Sequence, residues 1–214
     1  MVAEKKFSEL ACVVEAYQGV MQIDDISISG NRIKSISFEY ESVGRTLLRN
    51  LYLEDAAGLF EFYFENLSAQ ARDYFPPYPL FNPPPASVHE LHRRIIDWQA
   101  EDDWVFFLLL SDDVVIAVCL LKRFKTDRPS SGLAVGDNHR GIGLGGLLQT
   151  IIKLQAKMVG LSELFITLSP GNDASLFMHR KCGFIETGRL IPHYGYKDGM
   201  KIVDRHDIEM MVRL

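Results

Sequence analysis

With 214 residues, 47% of them hydrophobic and 24% charged, the chain is long enough to bury one sizeable core and too apolar to remain disordered. Its net charge of −5 and isoelectric point near 5.7 supply no basic field for nucleic acid or an anionic membrane. No run approaches the ~20 apolar residues that span a bilayer, and no stretch reads as a leader, so the expectation is a soluble cytoplasmic protein without nucleic-acid or membrane partners.

The first 22 residues, centred on LACVVEAYQGVM, are compatible with either a helix or a strand. Ile26 to Ser29 and Arg32 to Tyr40 then flank Gly30-Asn31, a two-residue turn that closes a hairpin. Residues 1 to 42 are therefore expected to form a hairpin arm that extends the sheet or contacts a second subunit, giving a possible homodimer. The main domain is expected over 43 to 214. Arg45 to Leu51 predicts its first strand, and Glu54-Asp55 opens an acidic helix start before Ala56, Leu59, Phe60, Tyr63 and Leu67 at helical spacing. A short helix is expected from Ser68 to Tyr74.

Phe75 to Pro85 (FPPYPLFNPPP) is barred from regular structure by its prolines. It reads as a stiff surface connection, or alternatively as a loop whose Tyr78 and Phe81 wall an acceptor pocket. A helix from Val88 to Ala100 follows. Two apolar strands, Trp104 to Leu110 and Val114 to Lys122, are joined by the turn Ser111-Asp112-Asp113. Cys12, Cys119 and Cys182 lack CxxC or Cys/His metal spacing and read as reduced thiols, Cys119 as a core residue. His206, flanked by Asp204 and Asp207, does not make a metal site, because alternate strand positions face opposite ways.

The organising stretch is Val135 to Leu147, VGDNHRGIGLGGL. A strand-like run precedes it, and Leu144, Leu147, Leu148, Ile151 and Ile152 give the run after it an apolar helical face. Strand, glycine turn and helix make an anion site, since glycines let the backbone approach a bound group and first-turn amides point at it with the helix dipole behind them. Gly141, Gly143 and Gly146, with Glu163 downstream, also satisfy the dinucleotide pattern G-x-G-x-x-G. That match fits poorly: GDNHR separates strand from glycines, and Glu163 begins the next strand rather than ending it.

The array Arg140-x-x-Gly143-x-Gly145 resembles the pyrophosphate loop of the GNAT superfamily of acyl-CoA N-acyltransferases. A second stretch, Asn172 through Ser175, His179 and Lys181 to Gly183-Phe184, is similar to that family's N-x-x-A/S-x-x-L-Y-x-K-x-G-F helix. The resemblance covers Arg45 to the C-terminus. It implies an α/β fold with a mixed, mostly antiparallel central sheet flanked by helices, here preceded by the arm. It further implies acetyl-CoA or another short acyl-CoA as co-substrate, with the amides of Gly141, Ile142, Gly143, Leu144 and Gly145 taking the pyrophosphate and Arg140, Lys181 and Lys153 adding charge. By the same resemblance Leu133 and Val135 offer main-chain groups to the pantetheine, and Asn172 and Ser175 border it.

The resembled family commonly carries a tyrosine as proton donor to the leaving thiolate, and His179 stands there instead. A thiol near pKa 8.5 and an imidazolium near 6.5 make His179 a chemically reasonable general acid, although His179-Arg180-Lys181 also suits the end of a helix for its dipole alone. The amine needs a base, and Asp137, Glu163, His193 and Tyr194 are candidates beside a water relay. His193, Tyr194 and Tyr196 lie in the last hairpin, which in the family borders the acceptor. The expected function is transfer of an acetyl or short acyl group to a primary amine, on a small molecule or peptide, by direct attack and without a metal. The alternative is a non-catalytic acyl-CoA-binding module.

Overall fold

The computed structural model describes residues 2–77, 80–197 and 200–214. Helix α1 (Val2–Glu15) leads into the hairpin β1 (Val20–Ser29) and β2 (Arg32–Tyr40), which turns through Gly30 at φ +60°. Strand β3 (Gly44–Asn50) is followed by α2 (Ala56–Glu65), α3 (Ala69–Tyr74) and α4 (Val88–Gln99). The hairpin β4 (Trp104–Ser111) and β5 (Val114–Lys122) turns through Asp112 and Asp113, both in the left-handed region, which matches the right-handed strand twist. Then come β6 (Ser130–Val135), α5 (Leu144–Met158), β7 (Glu163–Leu168), α6 (Asp173–Lys181), β8 (Ile185–Lys197) and β9 (Met200–Arg213).

Among the described residues nine strands form one sheet in the order β1-β2-β3-β4-β5-β6-β7-β9-β8. Every neighbouring pair is antiparallel except β6 and β7. The open question at the N-terminus resolves as a helix: Leu10 and Val14, one turn apart, are buried in the same cluster as α5. The hairpin extends the sheet through β2 pairing with β3.

Strands β4 and β5 read as nearly continuous apolar runs because both sheet faces are covered. Val105, Phe107 and Leu109 pack with α1 and α5, while Phe106, Leu108 and Leu110 pack with α2 and α4. Ser68 and Ser87 cap α3 and α4 by accepting from the amides of Ala71 (3.3 Å) and Glu90 (3.2 Å). No helix among the described residues is long and apolar enough to cross a membrane.

Candidate active site

The single parallel junction creates the site. Strands β6 and β7 are in register only at Ser130↔Phe165, beyond which they diverge. From Ser131 onward the β7-facing edge of β6 keeps its main-chain donors and acceptors without a strand partner, while the other edge pairs with β5 as far as Val135. At the open end of the splay the chain turns through Gly141 (φ +80°) and Gly143 (φ +96°) into α5, with Gly143 at the N-cap. Both conformations are ones that side chains disfavour. In the first turn of α5 the amides of Leu144 and Gly145 precede any helical acceptor, whereas that of Gly146 donates to the Gly143 carbonyl (3.0 Å). Arg140 is fixed at the mouth by Asp137 (2.5 Å) and by donating from Nε to the Val135 carbonyl (3.3 Å).

Helix α6 forms the opposite wall. Asn172 accepts from the Ser175 amide (3.3 Å) as its N-cap. Lys181 lies over the Phe177 ring at 4.5 Å, and Lys153 from α5 donates to the Cys182 carbonyl (2.7 Å). Between these walls runs a continuous cleft of about 1300 Å³. It brings together Leu133, Val135, Arg140, Gly141, Ile142, Gly143, Leu144 and Gly145 with Asn172, Ser175, His179 and Lys181, residues separated by up to 48 positions in the chain.

His179 is only 4% exposed. Its Nδ1 donates to the Ser175 carbonyl (2.8 Å) and lies 3.2 Å from the Ser175 hydroxyl, while Phe184 meets the ring edge-on at 5.3 Å. Nε2 is buried with no protein partner. Burial pushes the imidazole down to about 4, against the opposing effect of the Ser175 carbonyl, so the ring is neutral at pH 7. This corrects the expectation of an imidazolium donor. A neutral ring whose Nδ1 proton is held by Ser175 presents an acceptor at Nε2 instead.

Phe81 also needs correction. It is 1% exposed and stacked on Tyr63 at 4.0 Å within the cluster under α2 and α4, so it fills core and cannot touch an acceptor. Phe81→Leu is expected to lower stability by about 1 to 2 kcal/mol, read by denaturant titration, with KM for the acceptor unchanged. Tyr78 lies outside the described residues.

His193 and Tyr194 are absent from the cleft lining. His193 instead sits in an ion cluster, its Nδ1 3.4 Å from Asp207 Oδ2 and 3.3 Å from Arg205. Arg205 also donates to the Asp73 carboxylate (3.0 Å) and carbonyl (2.8 Å), tying the last hairpin to α3. Two further base candidates have structural work: Asp137 accepts from the Ser68 amide (3.1 Å) besides holding Arg140, and Glu163 faces Arg213 at the start of β7, far from the open end of the splay. Residues the sequence reading missed also line the cleft: Tyr17, Tyr40, Tyr74, Phe75 and Ser169. Phe75 is the nearest to a legible one, since it opens the proline-rich stretch. A Cβ on Gly132 would meet its ring at 3.1 Å.

Splayed parallel strands, a glycine turn at a helix N-terminus and a capped helix opposite are accompanied by a direct sequence match. A profile described as an acetyltransferase (GNAT) domain matches residues 45–185. The chain belongs to the GNAT acetyltransferase family. The dinucleotide pattern in the same glycines is thus part of a GNAT domain.

An L-methionine sulfoximine/L-methionine sulfone acetyltransferase of Pseudomonas aeruginosa is 41% identical over 66 residues, 30% of this chain. The match spans 37% of that relative's length, little more than a third. Among solved structures, the GNAT domain of S. lividans PAT superposes with a TM-score of 0.63 at 20% identity, covering 84% of this chain and 97% of that one. Spermidine N-acetyltransferase from Vibrio cholerae, solved with CoA and spermine, superposes with a TM-score of 0.61 at 15% identity, covering 78% and 95%. At these identities the superpositions establish the GNAT fold.

Proposed function

We propose that this GNAT enzyme transfers an acetyl group from acetyl-CoA to the primary amine of a small molecule by direct attack. The observation that carries the reading is the divergence of β6 from β7 immediately beside the Gly141–Gly145 turn. The pyrophosphate would sit on the turn amides with Arg140 beside them. The pantetheine would run along the unpaired edge of β6 at Leu133 and Val135, with Asn172 and Ser175 across from it. The thioester would then lie between the strands, reachable from the side of Tyr74 and Phe75.

The amine nitrogen forms a bond to the thioester carbon, the C–S bond breaks, and one proton passes from nitrogen to sulfur. At neutral pH a buried acceptor is better placed to receive the amine N–H than to protonate sulfur, so His179 Nε2 is assigned to orienting a donor at the reacting end. The amine proton is relayed through water to the departing sulfur, giving the amide and the free CoA thiol. His193, held by Asp207 and Arg205, and Tyr194 are assigned to the rim of the acceptor site rather than to the acyl-CoA cleft.

The partial similarity to the methionine sulfoximine enzyme supports a small amino-acid-like acceptor. The test is thiol release from acetyl-CoA with a panel of L-methionine sulfoximine, L-methionine sulfone, spermidine and an alanine-terminated peptide. Turnover with the first two alone supports the reading. Preference for the peptide or the polyamine overturns the acceptor class, and stoichiometric acetyl-CoA binding without turnover of any amine returns the non-catalytic alternative.

A further inference from the structure

The N-terminal stretch that precedes the family profile, residues 1 to 44, reaches the cofactor turn. Tyr40, at the end of β2, is 1% exposed and donates its hydroxyl proton to the Ile142 carbonyl at 2.6 Å. Two glycines from distant parts of the chain closely approach its phenol end. A Cβ on Gly19 would meet the ring at 2.6 Å, and one on Gly143 would meet the hydroxyl at 2.8 Å. Tyr17, just after α1, donates to the Gly143 carbonyl at 3.3 Å. Its hydroxyl occupies the place that a Cβ on Gly146 would need.

The same arm is pinned at the far end of α5. Gln155, fully buried, accepts from the Ile33 amide (2.8 Å) and donates to the Asn31 carbonyl (2.9 Å). The arm therefore spans the helix whose N-terminus forms the anion site. Its residues Ala16 to Gly19 and Tyr40 to Ser42 line the same cleft as the glycine turn.

We propose that the N-terminal arm is a structural part of the acyl-CoA site, with Tyr40 and Tyr17 as positioning residues that hold the Ile142 and Gly143 carbonyls turned away from the cofactor, so that the amides of the turn face it. A peptide unit is planar, so fixing its carbonyl fixes the direction of the following N–H. In this arrangement Gly146 is a glycine because Tyr17 stands over it, whereas Gly143 is one because of both its φ and Tyr40. Burial raises both phenols, Tyr17 to about 12, so each remains a donor throughout the working range.

The inference rests on the acyl-CoA reading of the cleft, and the full-length protein separates the two. Tyr40→Phe keeps the ring and removes the donor. It is expected to raise KM and Kd for acetyl-CoA about five- to tenfold, with KM for the acceptor unchanged and kcat falling by less than KM rises. Tyr17→Phe removes the second donor and is expected to raise the same KM by a smaller factor. Gly146→Ala in the natural background should raise it further, and in Tyr17→Phe/Gly146→Ala, where the nearest ring atom stands at 3.3 Å, the loss should fall back to that of Tyr17→Phe alone. A Tyr40→Phe enzyme with natural acetyl-CoA affinity overturns the proposal, as does a Gly146→Ala defect that Tyr17→Phe leaves in full. Failure of the unaltered protein to bind acetyl-CoA by calorimetry overturns the acyl-CoA reading itself, a result that none of the variant comparisons can mimic.

Discussion

Gly143→Val is expected to weaken acetyl-CoA binding about a hundredfold or more, equivalent to roughly 3 kcal/mol, as measured by calorimetric titration. Two physical costs combine at this position. A side chain at φ +96° adopts a left-handed conformation that costs on the order of 1–2 kcal/mol, and more for a β-branched residue. The new Cβ would also stand 2.8 Å from the Tyr40 hydroxyl, a phenol that Gly19 also approaches closely. Relief can come only from moving the turn, which redirects the amides that make the anion site. Gly141→Ala provides the contrast, because φ is +80° there but no atom lies within 4 Å of the added Cβ. It should show the conformational cost alone, with a loss of about tenfold. Equal tolerance of both substitutions would remove the turn from cofactor binding.

His179 governs the second large effect, which is on stability rather than affinity. Its folded value of about 4 lies below the ordinary 6.5, so between those pH values the unfolded chain binds a proton that the folded chain refuses. The stabilisation is complete above pH 6.5 and is lost progressively as pH falls toward 4. At roughly 1.4 kcal/mol per pH unit, the loss amounts to about 3 kcal/mol. His179→Asn retains an N–H for the Ser175 carbonyl and removes the titration. The difference in unfolding free energy between natural and variant protein, followed by urea titration from pH 7 to pH 4, should shrink by that amount toward the acid end. A constant difference across the range would show that His179 is not held neutral.

Much of this architecture is legible in the order of residues because it depends on short-range chemistry. The Gly30-Asn31 and Asp112-Asp113 turns, the apolar face of α5 and the Asn172 cap are each set by residues within a few positions of one another. The two glycine and asparagine motifs likewise announce themselves, since an anion-binding turn needs backbone freedom at fixed offsets from a helix start. Where the reading went astray, local pattern was ambiguous. His179-Arg180-Lys181 looks like a solvated cationic helix end, yet Ser175 and His179 share a helix face that turns inward beneath Phe184. Phe81 sits among prolines that suit a surface loop, and only packing decides that its ring stacks on Tyr63.

The sequence by itself determined the family, the phosphate turn and the helix facing it, because backbone conformation and helix capping are properties of neighbouring residues. Tertiary structure alone decided what surrounds that turn. Tyr17 and Tyr40 stand 126 and 102 positions from the carbonyls they hold. No periodicity or spacing carries such a pairing, since it arises from the docking of α1 and β2 against α5. The charge state of His179 was decided in the same way: an imidazole's proton affinity depends on how much water its neighbours exclude, and those neighbours are assembled only when the sheet, α5 and α6 close around it.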